Sequence, residues 1–326
     1  MGTAADELAG LCATLGSNPL FTQGPGGNVS VKDGDRLWIK ASGSWLADAA
    51  NRDIFLPVSR SAVLEIADRG LKSFPARGGR SPSVEVVLHA LLPQRLVLHL
   101  HMLDAIIQAS LPDARQRLDS LLSGLAWRFL PYARPGLPLS RLAQDELRND
   151  DTSPSVFILK NHGVVIAARD QAEAISLTNT LARRLWLAPR PLLVPDIPAL
   201  LRNNDLQWRI PTSPWPHALA FGKAAAALRR NWPLCPEQVF CLGAKICVIA
   251  PETRLGAAVR AFSDANGYKP PLAVIPECGV LFAPDIDACA EALVEGMAHV
   301  ALRTPENVPL ETLGEADLAQ LAPRTI

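Results

Sequence analysis

Apolar and polar positions follow two different periods along the first half of the chain. Leu8, Leu11 and Leu15 recur at helical spacing and predict a starting helix over Ala4 to Leu15. Val29, Val31, Leu37 and Ile39 alternate with polar residues on either side of Asp33-Gly34, which predicts a hairpin turned at that dipeptide. A turn at one end of a hairpin brings together the segments at its other end. Gly26, Gly27 and Asn28 before the first strand should therefore lie beside Ser42, Gly43 and Ser44 after the second. Helical spacing returns from Ser59 to Asp68. Ser81 and Pro82 are a favoured N-cap and first-turn pair, so a helix is expected to open there and end before Pro93. Arg95 to Met102 reads as a strand, Asp104 to Leu111 and Ala114 to Leu122 as helix, and Pro131 to Pro138 as a loop. Ser155 to Ala168 reads as two strands joined around Asn161-His162-Gly163, followed by an amphipathic helix from Gln171 to Leu187.

Four prolines between Pro189 and Pro198 mark a linker. Beyond it, short αβ pieces follow. A helix is expected near Ala218–Arg230, strands at Gln238–Leu242, Lys245–Ile249, Leu272–Ile275 and Gly279–Phe282, and a helix at Asp287–Leu302. The expected organisation is α/β, with one domain over residues 1–190 and a smaller α/β domain over 191–326. A length of 326 residues agrees with two domains at about 150 residues each.

Composition narrows the function classes. Apolar residues are 48% and charged residues 20%, which is ordinary globular usage. The 32 basic and 32 acidic residues cancel, which speaks against a nucleic-acid partner. No apolar run approaches the roughly 18 residues of a membrane span. The nearest, Val86 to Ile107, is broken by Pro93, Arg95, Asp104 and three histidines. The six cysteines form no CxxC pair, and the start reads Asp6-Glu7-Leu8 where a secretory leader needs basic and then apolar residues. Reduced thiols and a cytoplasmic location are the expectation.

Candidate chemistry gathers around three features. In LVLHLHML, His99 and His101 alternate with leucines, so a strand places both imidazoles on one face. That is a metal-chelating arrangement or a pair of buried, hydrogen-bonded core histidines. His162 sits in the later NHG turn, and three neutral histidines are a common open zinc set. Glu85 shares a helix face with His89 four residues on, and that helix leads into the histidine strand. A carboxylate there either favours the helix dipole or moves a proton beside a metal. The glycines and serines at the open end of the hairpin, with Ser83, offer backbone amides and hydroxyls to an anion.

In order and spacing, the blocks GPGGNVSVKDGDRLWIKASGSWLADA, SPSVEVVLHALLP, VLHLH, PYARPGLPL and KNHG make residues 5–190 resemble the class II aldolase/adducin family. The likeness is to the aldolase half of rhamnulose-phosphate aldolase/dehydrogenase fusions. The resemblance implies α/β/α layers around a mainly antiparallel sheet. It also implies a divalent metal, zinc by preference, and a homo-oligomer, often a tetramer. His99, His101 and His162 then fall on the metal ligands and Glu85 on the catalytic acid/base. Gly27, Asn28, Ser42, Gly43 and Ser83 belong to the pocket for a sugar or sugar phosphate. The implied reaction is retro-aldol cleavage through a metal-stabilised enediolate. Epimerase, dehydratase and decarboxylase chemistries occur on the same fold, and adducin heads use it as an assembly module without the histidines.

The sequence departs from that pattern twice. Fuculose-phosphate aldolases carry Ser-Ser-Glu where this chain has Ser83-Val84-Glu85, so one phosphate donor is absent. Leu111 to Leu130, read as helical, lacks the tyrosine those enzymes use as proton donor, and Tyr132 in the PYA block reads as structural. A Schiff-base mechanism through Lys40 or Lys160 is the competing way to stabilise the same carbanion.

Overall fold

Alternation along each strand decides which residues enter which layer. Val29 and Val31 of β1 (Asn28–Asp33) and Leu96, Leu98 and Leu100 of β4 (Leu96–Leu100) share one buried cluster. Val97 of β4 lies in a second cluster, on the opposite face. The computed structural model describes residues 4–70, 74, 78–148, 153–202 and 204–321. By contacts the chain divides into two compact units, Met1–Ala109 with Asp113–Trp186, and Ser110–Pro112 with Leu187–Ile326.

The first unit is built on one sheet. Besides β1 and β4 it contains β2 (Arg36–Lys40), β3 (Phe55–Ser59), β5 (Trp127–Leu130), β6 (Val156–Leu159) and β7 (Gly163–Ala168). The order is β3-β2-β1-β4-β7-β6-β5, and every pairing is antiparallel except β5 with β6. One face is covered by α1 (Ala9–Gly16), α4 (Leu103–Ala109), α5 (Ala114–Leu121) and α7 (Gln171–Arg184), through residues such as Leu11, Ala105, Leu118 and Leu181. The other is covered by α2 (Arg60–Asp68), α3 (Val86–Leu91) and α6 (Leu137–Arg148), through Val63, Leu88 and Leu139. The expected layers around a mainly antiparallel sheet are present, and β4, in the interior, is buried along its whole length.

Several local readings need correction. The β1–β2 register pairs Asp33 with Arg36, so the turn residues are Gly34 and Asp35, one position later than expected. Gly34 has φ +59, the conformation that glycine at the first central position of a tight hairpin turn adopts. Ser81 and Pro82 do not open a helix. Pro82 bridges Ala41, Ser42 N–H donates to the Ser81 carbonyl (2.8 Å), and Ser83 N–H donates to the Lys40 carbonyl (3.1 Å). These bonds hold residues 81–83 extended beside 40–42, and α3 starts only after Glu85. The 111–130 stretch is not all helical, because Trp127–Leu130 forms β5. The loop expected to reach Pro138 stops at Leu137, where α6 begins with Pro138 in its first turn, a place that needs no N–H.

The second unit has a three-stranded sheet of order β10-β9-β8, from β8 (Cys247–Val248), β9 (Leu272–Ile275) and β10 (Gly279–Phe282). β9 and β10, both expected as strands, form a hairpin with Glu277 at φ +58 in its turn. The helices are α8 (Ile197–Arg202), α9 (Gly222–Arg230), α10 (Pro236–Leu242), α11 (Leu255–Asn266), α12 (Ala288–Arg303) and α13 (Glu315–Leu318). Gln238–Leu242, expected as a strand, belongs to α10. Pro236 opens that helix, the Gln238 side chain accepts from Leu234 N–H (2.7 Å) and Cys235 N–H (3.3 Å), and Gly243 at φ +90 closes it. These end signals outweigh the β-forming Val239 and Phe240. No helix among the described residues is long and apolar enough to cross a membrane.

Gly163 shows how tightly β4 and β7 approach. It has φ +150, and a Cβ there would lie 2.2 Å from the Leu100 carbonyl oxygen. Gly34 also has positive φ, but nothing lies within 4 Å of its missing Cβ. Gly163→Ala should cost about 3 kcal/mol or more in urea unfolding, against about 1 kcal/mol for Gly34→Ala. Equal losses would mean that backbone conformation alone, and not the close approach, requires Gly163.

Candidate metal centre

His99 reaches the site from β4 and His101 from the residue just beyond its end. Leu98, Leu100 and Met102 fill the core on the other face, as the alternation predicts. β4 pairs with β7 through His99 opposite Val165 and Leu100 opposite Val164. That pairing carries the 161–163 turn to the end of β4 and sets His162 beside the other two. Asn161 adopts φ +57 there, a conformation asparagine tolerates better than most residues.

The three imidazoles form a closed triangle. Ring centroids are 4.9 Å apart for His99–His101, 4.7 Å for His99–His162 and 5.2 Å for His101–His162. One nitrogen from each lies within 4.8 Å of the others, and all three residues are buried. The His99 Nδ1 is 3.0 Å from the Val164 carbonyl. A carbonyl only accepts, so Nδ1 carries the proton and Nε2 presents a lone pair. Gly27 N–H donates to the His101 Nε2 at 3.4 Å, a long bond that a metal ion would have to displace. The two Nε2 atoms are 3.1 Å apart. At that distance a proton or a cation must lie between them. The set therefore fits a divalent ion, with the backbone carbonyl as the orienting partner of His99.

Glu85 closes the triangle. Its Oε2 is 3.3 Å from His99 Nε2 and its Oε1 is 3.6 Å from His162 Nε2. Asn28 Nδ2 donates to Oε2 at 2.9 Å. Burial by itself would push the carboxyl up; positive charge on His99 and His162, the Asn28 bond and His101 outweigh it and hold Glu85 at about 2, and a divalent ion held by neutral imidazoles would supply that charge in their place. The carboxylate is thus ionised at neutral pH.

The glycines of GPGGN have a packing role that the sequence did not reveal. A Cβ on Gly26 would lie 2.6 Å from His101 Nδ1, and one on Gly27, at φ +70, would lie 2.8 Å from the His99 carbonyl oxygen. Only glycine lets this segment lie against the histidines. The expected meeting of the two hairpin ends is made by Lys40, whose Nζ donates to the Pro25 and Ser44 carbonyls, both at 2.6 Å. Burial brings its pKa down to about 8, against the opposing pull of Glu85 and Cys12. An ammonium held by two carbonyls serves to join loops, which weakens the Schiff-base alternative. Ser83 lies beside Lys40 through its N–H, and its hydroxyl accepts from Glu85 N–H (3.3 Å). Gly43, at φ +77, lines with Ser44 an open cavity of about 450 Å³ that also receives Arg52 and Arg80. Arg80, which no motif singled out, is paired there with Asp53 (2.9 Å). Tyr132 follows β5 and is half-buried.

Behind the site runs a polar seam. Asn28, Ser30 and Lys32 share one face of β1. Asn28 bonds Glu85, Ser30 Oγ meets His89 Nδ1 at 2.7 Å, and Lys32 Nζ donates to the Gln94 carbonyl at 2.7 Å. Burial pushes His89 down to about 3, so it is neutral and structural, as its position beside Glu85 allowed.

Comparison with known proteins agrees with this geometry. The model of the Class II Aldolase and Adducin N-terminal domain matches residues 6–186. A 3-oxo-tetronate 4-phosphate decarboxylase of Haemophilus influenzae is 30% identical over 174 residues, which are 49% of this chain and 75% of that protein. An L-fuculose phosphate aldolase of Methanocaldococcus jannaschii is 27% identical over 184 residues, 53% of this chain and 90% of that protein. An uncharacterized oxidoreductase of Bacillus subtilis, YuxG, is 27% identical over 179 residues, 49% of this chain. The match spans only 26% of that relative's length.

The seam carries a pH signature. His89 titrates at about 3 in the folded chain and near 6.5 when unfolded. The unfolded chain therefore takes up a proton that the folded chain refuses. Stability from this group is complete above about 6.5 and is lost as pH falls toward 3, by about 1.4 kcal/mol per pH unit. In urea melts between pH 4 and 7, His89→Gln should flatten that slope. An unchanged slope would show that other groups set the acid sensitivity.

Proposed function

We propose, from the premise that the chain belongs to the class II aldolase and adducin family, that its first unit is a metal-dependent lyase acting on a ketose or ketose phosphate by retro-aldol cleavage. The observation that carries this reading is the ionised Glu85 carboxylate, 3.3 and 3.6 Å from two imidazoles of a buried three-histidine set. His99, His101 and His162 would hold the ion, zinc by preference for three neutral imidazoles. Bound there, a divalent ion supplies Lewis-acid stabilisation of the enediolate left by C–C cleavage.

The chain's own residues do the rest. Glu85 takes and returns the proton at the substrate carbon. Asn28, through its bond to Oε2, keeps the other carboxylate oxygen turned toward the reacting side. In this reading Gly27, Asn28, Ser42, Gly43 and Ser83 would receive the anionic end, and Lys40 keeps the loops at Pro25 and Ser44 at a fixed separation. Fixed placement of both ends supplies effective molarity. The decarboxylase relative supports a second reading, in which an oxo-acid phosphate loses carbon dioxide to give the same kind of enediolate. A metal-free, adducin-like assembly role is disfavoured by the presence of all three histidines. A cytoplasmic, homo-oligomeric enzyme remains our reading of its setting.

Plasma mass spectrometry of the purified chain should find about one divalent ion per chain, and His101→Ala should lose it. No ion after reconstitution would overturn the lyase reading. Glu85→Gln should keep the ion while turnover falls by about 10²–10⁴-fold. Full activity in that variant would remove Glu85 from the chemistry. Released aldehyde identifies aldol cleavage, and released carbon dioxide identifies decarboxylation.

A further inference from the structure

The thiols of the second unit fall into two groups. Cys235, Cys247 and Cys278 are buried. Burial pushes all three up, Cys247 to about 11. Cys12 of the first unit is buried likewise and is pushed up to about 12. Cys241 and Cys289 are half-buried, and their sulfurs lie 2.7 Å apart across 48 positions of sequence. Cys241 sits near the end of α10 and Cys289 is the second residue of α12. The two thiols most open to solvent are thus also the two already in contact.

We propose that Cys241 and Cys289 are a redox site, oxidised by a hydroperoxide to an intramolecular disulfide that ties α10 to the start of α12. The roles of the two sulfurs follow from their positions. Cys289 lies in the first turn of α12, behind the Asp287 N-cap that accepts from Ala290 N–H (2.8 Å), and a helix N-terminus favours a thiolate. Cys241 lacks that helix N-terminus, lying near the end of α10. Its hydrogen bond to Cys289, its burial and the nearby Asp287 and Glu237 carboxylates all raise it. The Cys289 thiolate attacks the peroxide O–O bond, giving a sulfenic acid and releasing hydroxide, or an alcohol's oxyanion from an organic peroxide. The Cys241 thiol then attacks that sulfur. The S–S bond forms, the S–O bond breaks and water leaves. Two electrons pass from the thiols to the peroxide. A disulfide bond is about 2.05 Å long, so closure requires an approach of only about 0.7 Å. The site is independent of the lyase reading, since it uses no residue of the first unit.

Hydrogen peroxide treatment of the full chain, then alkylation and proteolysis, should give one peptide pair joined through Cys241 and Cys289 and split again by dithiothreitol. The oxidised chain should melt roughly 5–15 °C higher in the transition of the cross-linked part, because closing a long loop restricts the unfolded state. Dimedone should label Cys289 in Cys241→Ser, and should leave Cys241 unlabelled in Cys289→Ser. The peptide measurement on the unmutated chain decides the matter even if a variant fails to fold. Both cysteines recovered alkylated and unjoined after peroxide, or joined only between separate chains, would overturn the proposal.

Discussion

A carboxylate shut away from water costs several kcal/mol unless opposite charge and hydrogen bonds surround it. Glu85 is 3% exposed, and the arrangement of the first unit follows from meeting that condition. β1 delivers Asn28 to one oxygen. β4 delivers His99, and the turn before β7 delivers His162. Each comes from a different part of the chain, so the carboxylate meets these partners only when the sheet is closed in the observed order. The same condition leaves Glu85 ionised beside the imidazoles, which is the state a base requires. Structure and proposed chemistry here rest on one electrostatic balance.

The seam behind Glu85 extends that logic. Helices usually meet sheets through apolar side chains, as α6 does through Leu139 and Ala143. At the β1–α3 contact, Asn28, Ser30 and Lys32 instead meet Glu85, His89 and the Gln94 carbonyl. Polar partners are directional where apolar ones tolerate sliding. A shift of one residue along β1 would turn these three side chains into the opposite core and strand Glu85 and His89 without partners. Burial keeps His89 neutral, so it adds no second charge beside the carboxylate.

Much of the site was legible because the relevant signals are local and periodic. The spacing of His99 and His101 within a leucine run leaves one reading for their shared face, and the glycine-flanked hairpin brings its two ends together. What failed was of another kind. Ser81-Pro82 has the residues of a helix start, yet its backbone is engaged by residues 40–42, partners some forty positions away. The strand Trp127–Leu130 is four residues long and includes an arginine, too little pattern to separate from helix, and only its parallel pairing with β6 defines it. Gln238–Leu242 has β-forming residues, but its side-chain cap and closing glycine act at the ends, where propensity counts are blind. The role of Gly26 and Gly27 as beds for His101 and for the His99 backbone is a contact across more than seventy positions, and a glycine run alone does not declare it.

The pairing of β4 with β7 has a consequence for how the protein comes into being. His99 and His101 lie two positions apart at the end of β4, but His162 reaches them only after the chain has closed a loop of more than sixty residues, hydrogen-bonded from His99 Nδ1 to the Val164 carbonyl. Contacts so distant in sequence form slowly, because chain entropy is lost before they return anything. A nascent chain stopped before β7 presents two histidines and can hold an ion only weakly. Tight capture of a metal at these histidines would then belong to the end of folding, and the ion would act as a lock on the finished sheet and not as the template on which it is assembled.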